Sequence, residues 1–381
     1  NYFQIIFFDF DKMTFLKAIP FQSIYISDPS PKLNDDQIVD LFIKSYEDGK
    51  WLKDPVSNQV VKNNNDTFIS IMKEIKISAP ATVANVSCGF DVLGFCLEHV
   101  ADEMIIREVP QKGIKITQIK GYNLPLEAHK NVAGVSALAL IEDAKPDYGY
   151  EIEIIKHVMP GSGIGSSAAS AIGSVYGINE LMGRPYTANE LIKFAIKGEA
   201  IASQCEHADN IAPALLGGFT LVKSVSPLIV CELPTPDDLF AVIVHPKIEI
   251  KTAESRAILP KEVELKDAIK QWANLGSFVH ALHTSNYDLI KSSLEDVIIE
   301  PHRSKLIPLF HMVKESAEKN KALGCGISGS GPSIFTLCKG KFVAQDVAKA
   351  IKDIFNTTDI DFDIHLSKIN TKGPAVIDFK N

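Results

Sequence analysis

Several features that often reveal a function are missing from this sequence of 381 residues. Basic residues are not in excess: 39 lysines and arginines face 47 acidic residues, and the net charge of −8 gives no support to nucleic-acid or anionic-membrane binding. No stretch approaches the roughly 20 apolar residues of a membrane helix. The apolar start Phe3–Phe8 has no basic leader and is interrupted by Asp9 and Asp11, so it is a poor signal peptide.

Cysteine pairs are missing as well. The six cysteines form no Cys-x-x-Cys pair and are scattered along the chain, at Cys88, Cys96, Cys205, Cys231, Cys325 and Cys338. This spacing gives no support to a disulfide framework or a cysteine metal site. Buried free thiols in a reducing compartment are the simplest account, and we therefore expect a cytoplasmic protein.

The first 71 residues differ in character from the rest. They contain aromatic patches, a proline-rich turn at Asp28–Pro31 and a plausible helix over residues 34–46. The polar run over residues 61–67 has the composition of a linker. We therefore expect an N-terminal extension to a unit that begins near residue 72, and we assign this extension no function.

The most informative stretch is the glycine- and serine-rich turn His157–Ser170. An alternating run over residues 150–156 predicts a strand before it, and small and apolar residues at helical spacing predict a helix over residues 168–182. Glycines at such a turn let the backbone approach a ligand closely, and free amides at a helix start favour an anion such as phosphate. The turn is predicted to bind phosphate, although in isolation it fits a tight turn without a ligand equally well.

Two common nucleotide-binding motifs match this turn poorly. The first ends in Gly-Lys-Ser/Thr, whereas Ser166 and Ser167 follow the glycine here. The dinucleotide fingerprint requires a second parallel strand that ends in an acid about 20 residues later, and that region is still helical in pattern. Without a lysine of its own, the loop is expected to hold phosphate through backbone amides and its helix.

Two further strings concentrate polar residues in apolar or glycine-rich surroundings. The first, Ala79–Gly94, contains Asn85 and Asp91 and is typical of a turn when taken alone. The second, His207–Asn210, precedes an apolar Gly-Gly turn. A zinc site is the weaker interpretation there, because His207 has no second histidine or cysteine at metal-binding spacing.

Other candidates depend on single residues. Glu199 lies in a predicted helix, where an acid is usually a solvated surface group, and Arg256 and Arg303 are of a type that is usually exposed. Thr252 and Arg256 are four residues apart and share a face of a short predicted helix. The glycine-rich string Gly324–Phe335 fits a hairpin or bulge when taken alone.

Together these strings resemble those of one enzyme superfamily. The run Pro160–Ala169 resembles the ATP loop of the GHMP kinases, which include galactokinase, homoserine kinase, mevalonate kinase and phosphomevalonate kinase. The strings around Asn85, at His207–Asn210 and around the two arginines are similar to those of homoserine kinases. The resemblance covers about residues 73–379, with all three family motifs in the expected order.

The resemblance implies an α+β protein with a two-domain GHMP kinase fold. A ribosomal-protein-S5-like ATP-binding domain is expected over residues 72–225 and a ferredoxin-like α/β sandwich over residues 226–381. The chain's own pattern also favours α+β, because strands and helices are interleaved without a regular βαβ repeat. The resemblance also implies a homodimer.

The family's binding residues carry over position by position as part of this resemblance. The ATP loop corresponds to Met159, Pro160, Gly161, Ser162, Gly163, Ile164, Gly165, Ser166, Ser167, Ala168 and Ala169. The magnesium positions correspond to Ser167 and Glu199, with Ser166 as the alternate serine. The substrate pocket corresponds to Asn85, Asp91, His207, Asp209, Asn210, Thr252, Arg256 and Arg303. The catalytic residues are predicted to be Asn210, Glu199 and Ser167.

The implied reaction is the phosphorylation of the side-chain hydroxyl of L-homoserine by ATP with Mg²⁺, which gives O-phospho-L-homoserine for threonine synthesis. Phosphoryl transfer depends mainly on positioning and charge neutralisation. Because the substrate is a zwitterion, its pocket should contain both signs: Arg256 and Arg303 for the carboxylate, Asp91 and Asp209 for the ammonium. Asn210 is expected to orient the hydroxyl, since an amide does not take up a proton at neutral pH.

Two alternatives stay open from the sequence. Another small-molecule kinase of the GHMP superfamily is disfavoured by the His207–Asn210 string together with the two arginines. A catalytically inactive binding protein of the same fold is disfavoured by the presence of Ser167, Glu199 and Asn210.

Overall fold

The computed structural model describes residues 2–9, 14–22, 73–203, 207–248, 250 and 252–380. The chain divides into a unit of residues 1–70 and a unit of residues 71–381. The predicted helix over residues 34–46 and the predicted linker over residues 61–67 lie outside the described residues.

The smaller unit contains a two-stranded antiparallel ribbon. Strand β1 (Tyr2–Asp9) pairs with β2 (Thr14–Gln22), and Tyr2 lies opposite Gln22. The register shifts once, between Phe7 and Phe8.

The larger unit contains eleven further described strands and ten described α-helices. The strands are β3 (Glu74–Val86), β4 (Gly89–Val109), β5 (Ile114–Lys120), β6 (Gly149–Ile155), β7 (Phe219–Val225), β8 (Leu228–Leu233), β9 (Leu239–Pro246), β10 (Gly324–Ile327), β11 (Ile334–Lys339), β12 (Phe362–Lys368) and β13 (Ala375–Lys380). The helices are α1 (Val132–Ala144), α2 (Ser166–Leu181), α3 (Ala188–Ser203), α4 (Ile211–Leu216), α5 (Thr252–Ala257), α6 (Leu265–Thr284), α7 (Tyr287–Ser293), α8 (Glu300–Arg303), α9 (Phe310–Lys319) and α10 (Lys341–Phe355).

The larger of its two sheets has seven strands. The order β13-β3-β4-β6-β5 forms the main path, and β7 extends from β4 and pairs with β8. Only β5 and β6 run parallel among these pairs. The strand β13 lies within the predicted second domain but pairs with β3, at the start of the predicted first domain. The division at residues 225 and 226 stays a prediction.

The second sheet is antiparallel throughout and has the order β10-β11-β9-β12. The two sheets together account for the expected α+β class, because mostly antiparallel pairing differs from the parallel sheet of a doubly wound fold.

Three hydrophobic clusters fill the spaces between sheets and helices. The first packs helices α1 to α4 against the seven-stranded sheet and includes Ile75 and Ile77, which the alternating pattern predicts to point inward. The second joins the β3–β4 hairpin to the antiparallel sheet and to α6 and α7. The third packs α9 and α10 on the antiparallel sheet. Most of the buried surface that stabilises the fold therefore lies in layers on either side of the sheets.

The string Ala79–Gly94 differs from its expected turn. Strand β3 continues through it to Val86 and β4 begins at Gly89, so the polar residues lie in a long hairpin. Register shifts interrupt the pairing between Pro80 and Thr82 and again between Ala84 and Val86. The fully buried apolar residues of this hairpin explain why it stays extended, because they face the second hydrophobic cluster.

Most other predicted elements are confirmed with small changes in their bounds. The strand predicted over residues 150–156 is β6, and the helix predicted over residues 168–182 is α2, which begins two residues earlier. None of the helices in the described part of the chain is long and apolar enough to cross a membrane.

Candidate active site

One cavity of about 330 Å³ brings most of the predicted site residues together. This volume is typical of a pocket for a small molecule. The predicted residues that line it are Asn85, Asp91, Pro160, Gly161, Gly163, Gly165, Ser166, Ser167, Glu199, His207, Asp209, Asn210, Arg256 and Arg303. These residues come from both halves of the larger unit, so the tertiary structure assembles a site that is dispersed in the sequence.

Five predicted residues in the described part of the chain do not line this cavity. Ile164, Ala168 and Ala169 turn into the hydrophobic clusters, because their side chains are apolar and fully enclosed. Ser162 is also buried, and Met159 contacts His245, with 3.3 Å between Sδ and Nε2. A further predicted residue, Thr252, is the first residue of α5, and its side chain lies outside the described residues.

The predicted phosphate loop connects β6 to α2, as expected from the sequence. Gly165 is the N-cap of α2 and has φ of 66°, a left-handed conformation that favours glycine. A Cβ at Gly165 would lie 2.1 Å from Thr82 Oγ1. Glycine therefore lets the loop approach β3, and no side chain caps the free amides at the start of α2. These amides suit an anion.

The glycine-rich string Gly324–Phe335 packs against this loop. Ser333 Oγ donates to Ser162 O at 2.6 Å, and Ser328 Oγ donates to Gly163 O at 2.8 Å. The turn between β10 and β11 thus fixes the loop's carbonyl groups.

A buried lysine lies beneath the phosphate loop, and the sequence interpretation missed it. Lys156 is 4% exposed; its ammonium forms a short contact with Asp102 and donates to Ser166 O at 2.9 Å and Ser170 Oγ at 3.1 Å. Burial lowers the pKa of Lys156. The glycine-rich loop itself contains no lysine, but Lys156, which directly follows β6, supplies a cation that also lines the cavity.

Asp102 ties the same region together from β4. Its Oδ1 accepts the amide protons of His157 and Val158 at 2.8 and 2.9 Å. Asp102 is fully buried, so the lysine charge and the two amides compensate a carboxylate that would otherwise be costly to enclose. Sequence pattern alone does not single out Asp102, because Glu103 beside it is charged as well.

Ser167 and Glu199 meet across the α2–α3 contact. Ser167 Oγ donates to Glu199 Oε1 at 2.9 Å, and burial raises the pKa of Glu199 to about 7. Ser166, by contrast, donates its hydroxyl proton to Val158 O at 2.9 Å. The pair of hydroxyl and carboxylate oxygens that faces the cavity is therefore Ser167 with Glu199.

Opposite charges in the predicted substrate pocket already contact one another. Arg256 Nη2 lies 2.8 Å from Asp91 Oδ1 and 2.8 Å from His207 Nε2. A guanidinium only donates hydrogen bonds, so His207 Nε2 accepts and the imidazole is neutral with its proton on Nδ1. Burial, which lowers the pKa of His207, agrees with this neutral state.

Arg303 is enclosed in a different way. It is 2% exposed, and it donates from Nε to Ser255 O at 3.1 Å and from Nη1 to Gly329 O at 3.1 Å. Among the described residues no carboxylate forms an ion pair with it, and burial together with the nearby Arg256 lowers its pKa to about 10. A buried cation that donates to carbonyl groups and has no ion-pair partner among the described residues favours a bound anion.

Asp209 is 4% exposed and lines the cavity close to these charges. Burial, with a smaller contribution from the charge of Asp91, raises the pKa of Asp209 to about 7. Among the described residues Asp209 forms no ion pair, and a buried carboxylate in this state favours a positively charged ligand group.

The amide of Asn210 has a fixed orientation. Thr82 Oγ1 donates to Asn210 Oδ1 at 2.8 Å, which leaves the NH₂ group of Asn210 as a donor. Thr82 is fully buried and belongs to the string Ala79–Gly94, but the sequence interpretation gave it no role. A polar residue within an apolar strand was the available signal.

Asn85 supports the pocket from the tip of the β3–β4 hairpin. Its Oδ1 accepts the amide proton of Asp91 at 2.7 Å, and its Nδ2 donates to Gly329 O at 2.8 Å. Both Asn85 and Asp91 have positive φ, of 57° and 60°. The asparagine thus holds a strained hairpin tip against the glycine-rich turn after β10.

The cavity includes a further wall that the sequence interpretation left without a role. Leu124, Pro125, Lys130 and Asn131 line it beside the start of α1. Asn131 is the N-cap of α1 and accepts the amide proton of Ala133 at 3.0 Å. An asparagine before a helical run is a recognisable cap signal, but it does not by itself indicate a ligand wall.

The fold and the site agree with one class of protein. The model of the GHMP kinases N terminal domain matches residues 130–218, and the model of the GHMP kinases C terminal domain matches residues 278–357. The first range includes the phosphate loop, Glu199 and the His207–Asn210 string. These matches assign the chain to the class of GHMP kinases.

Individual relatives narrow the class to one family. The homoserine kinase of Chlorobium phaeobacteroides is 42% identical over 320 residues, which cover 80% of this chain and 100% of the relative. That of Methanococcus vannielii is 38% identical over 288 residues, with 75% and 94% covered. The crystal structure of homoserine kinase from Cytophaga hutchinsonii matches with a TM-score of 0.77 at 47% identity and covers 80% of this chain and 97% of its own. This chain belongs to the homoserine kinase family.

Proposed function

We propose that this chain transfers the γ-phosphoryl group of ATP to the side-chain hydroxyl of L-homoserine, giving O-phospho-L-homoserine and ADP for threonine synthesis. Membership of the homoserine kinase family supports the reaction. The observation that carries the substrate assignment is Arg303, a buried guanidinium with no ion-pair partner among the described residues, in the same cavity as the phosphate loop and two acids.

The charged groups in the cavity match a zwitterion. Arg303 would bind the substrate carboxylate first, because among the described residues it donates to two carbonyl groups and forms no ion pair. Arg256 would join it by exchanging part of its contact with Asp91. Asp91 and Asp209 would then hold the ammonium group, while Asn85, His207 and Thr252 complete the proposed pocket. A sugar or mevalonate carries no ammonium to balance the two acids.

The phosphate end of the cavity would bind ATP through the backbone of Met159–Ala169 and the amino-terminal end of α2. Lys156 adds a cation beneath the same loop. The apolar wall at Leu124 and Pro125 suits the base of a nucleotide.

The residues present fit a magnesium site. Mg²⁺ takes hard oxygen ligands and keeps several waters, so one carboxylate and one hydroxyl beside substrate phosphates are sufficient protein ligands. Ser167 and Glu199 would hold the ion, since their oxygens face the cavity and already contact each other. The bound ion would supply neutralisation of the phosphate charge.

Asn210 would place the reacting hydroxyl. Its NH₂ group, oriented by Thr82, would donate to the hydroxyl oxygen and leave the hydroxyl proton directed elsewhere. The bond from this oxygen to the γ-phosphorus forms as the bond from that phosphorus to the bridging oxygen of ADP breaks. The hydroxyl proton passes to the transferred phosphoryl group, so the step requires no strong base from the protein.

The proposal includes a cytoplasmic location and a homodimer, the latter because of the family resemblance. Free thiols support the location: the described cysteines are free, and four of the five are buried. Sedimentation or light scattering of the purified chain tests the dimer.

The test of the function is ADP release by the purified full chain with ATP, Mg²⁺ and each of L-homoserine, mevalonate and galactose. We expect turnover with homoserine at least 100 times that with the other two acceptors, and a product mass that contains one added phosphoryl group. Preference for another acceptor would assign the chain a different GHMP kinase activity, and binding without turnover would indicate an inactive protein of this fold.

A further inference from the structure

Phe90 is an aromatic residue in an unusual place. It follows Gly89 at the start of β4 and is half-buried at the tip of the β3–β4 hairpin. Among the residues that the structure describes, the three hydrophobic clusters do not include Phe90. Its position therefore calls for an explanation other than core packing.

The ring lies beside the two arginines of the substrate pocket. Arg303 Cζ is 4.8 Å from the ring centroid, and Arg256 Cζ is 5.7 Å from it. Both distances fall within the range of about 6 Å over which a cation is attracted to the face of an aromatic ring. One side chain thus contacts two guanidinium groups that come from α5 and α8.

Two like charges so close together need compensation. The positive charge of Arg256 contributes to the lowered pKa of Arg303, and the buried Arg256 Nε has no hydrogen-bond partner among the described residues. Two carbonyl groups accept from Nε and Nη1 of Arg303, and Asp91 and His207 contact one nitrogen of Arg256. The aromatic face adds a contact to the planes of the guanidinium groups, which hydrogen bonds at their edges do not provide.

The backbone around Phe90 is held firmly. The Asn85 side chain bonds to the amide of Asp91 and to Gly329 O, the same carbonyl that accepts from Arg303 Nη1. A Cβ at Gly89 would lie 2.3 Å from Leu93 Cβ, so the hairpin also requires glycine beside the ring. The ring and Arg303 are therefore positioned through one shared carbonyl group.

We propose that Phe90 is a positioning residue that holds the guanidinium planes of Arg256 and Arg303 for the carboxylate of the amino-acid substrate. This inference rests on the proposed function, because it assigns the arginines to that carboxylate. Phe90 acts through the arginines, and the electrostatic attraction of its ring face offsets part of their mutual repulsion.

The first test compares Phe90→Leu with Phe90→Tyr. Leucine fills similar space without a ring, and we expect it to raise the KM for homoserine about tenfold while the KM for ATP stays within about twofold. Tyrosine keeps the ring face and is expected to hold the homoserine KM within about threefold of the wild-type value. The control Phe240→Leu removes a partly buried ring on β9 that packs in the third cluster, and both KM values should stay within about twofold.

A second test separates the ring's charge distribution from its shape and remains decisive if Phe90→Leu does not fold. Phenylalanine with one, two or three ring fluorines at position 90 keeps the shape while weakening the negative face. The logarithm of the homoserine KM should rise steadily with each fluorine, whereas a packing role predicts no trend.

The outcomes distinguish this inference from the proposed function. Turnover of homoserine by the wild-type chain, with an unchanged homoserine KM in Phe90→Leu or across the fluorinated series, would overturn the role of Phe90 alone. Equal losses for homoserine and ATP in Phe90→Leu would overturn it too. Absence of homoserine turnover by the wild-type chain would overturn the proposed function and this inference with it.

Discussion

Arg256 and Arg303 carry the same charge but differ in what already satisfies it. Arg256 contacts the carboxylate of Asp91 and the ring of His207, whereas Arg303, within the described part of the chain, donates only to backbone carbonyl groups. Binding a carboxylate at Arg256 therefore displaces an existing ion pair, while binding at Arg303 compensates a buried charge. The sequence interpretation treated the two arginines as equivalent, and this difference in partners ranks them.

We predict that Arg303→Ala raises the KM for homoserine about 100-fold or more, because truncating one partner of a buried charge pair costs about 2–5 kcal/mol. The matched variant Arg256→Ala should raise it by about tenfold, since it also frees Asp91 for the ammonium group. Steady-state kinetics with each substrate varied in turn measure both values, and the KM for ATP should change little. Equal losses for homoserine and ATP would contradict the assignment of both arginines to the substrate carboxylate.

Asn210 and Thr82 form the second residue-scale unit. We predict that Asn210→Ala lowers kcat about 100-fold with little change in either KM, because its donor acts on the reacting hydroxyl. Thr82→Val keeps the shape of Thr82 but removes the hydroxyl that orients Asn210, so it should lower kcat by a smaller factor, about tenfold. If Asn210→Ala raised only the KM and left kcat untouched, the positional role would be wrong.

At the scale of elements, the phosphate loop depends on how closely β6, α2 and β3 approach one another. The loop is fixed by Lys156 and Asp102 below and by the serines of the β10–β11 turn at its side. Gly165 lets the loop approach β3 closely, because a side chain at this position would overlap Thr82. The orientation of the amides at the start of α2 follows from this packing.

We predict that Gly165→Ala weakens ATP binding and lowers stability by more than the roughly 1 kcal/mol cost of a left-handed alanine. Gly183→Ala is the matched control: Gly183 also has positive φ, but a Cβ there meets nothing within 4 Å. Denaturant unfolding and the KM for ATP measure the two effects. Equal behaviour of the two variants would show that the contact with Thr82 is not limiting.

At the scale of the whole molecule, the length of the homoserine kinase relatives indicates how much of the chain the activity needs. The Chlorobium relative is covered over its full length by 80% of this chain. The chain divides into units of residues 1–70 and 71–381, and the described residues that line the cavity belong to the second unit. None of the residues proposed for the reaction therefore lies in residues 1–70.

We predict that a chain that starts at Met72 keeps kcat and both KM values within about twofold and unfolds at a temperature within a few degrees of the full chain, since a unit with its own hydrophobic core can fold alone. Kinetics and thermal unfolding of the two purified chains give the comparison. Loss of activity or a large drop in unfolding temperature would make residues 1–71 part of the kinase unit.

Much of the fold and part of the site follow from local sequence pattern. The strand, glycine-rich turn and helix at residues 149–181 are recognisable because period, turn residues and helix composition are encoded within one short stretch. The β3–β4 hairpin was less evident, since Asn85 and Asp91 are turn-forming residues in a segment kept extended by its buried neighbours. Local propensity was overridden there by tertiary packing.

The sequence by itself determined the family, a glycine-rich loop predicted to bind ATP and the residue types proposed for a zwitterionic substrate, because motif order and turn chemistry are properties of the linear chain. Only the tertiary structure decided which groups meet. Lys156 and Asp102 are 54 residues apart, Thr82 and Asn210 are 128 apart, and Asp91 and Arg256 are 165 apart. Contacts over such separations depend on how sheets and helices pack, and that packing leaves Arg303 as the buried cation without an ion-pair partner among the site residues described.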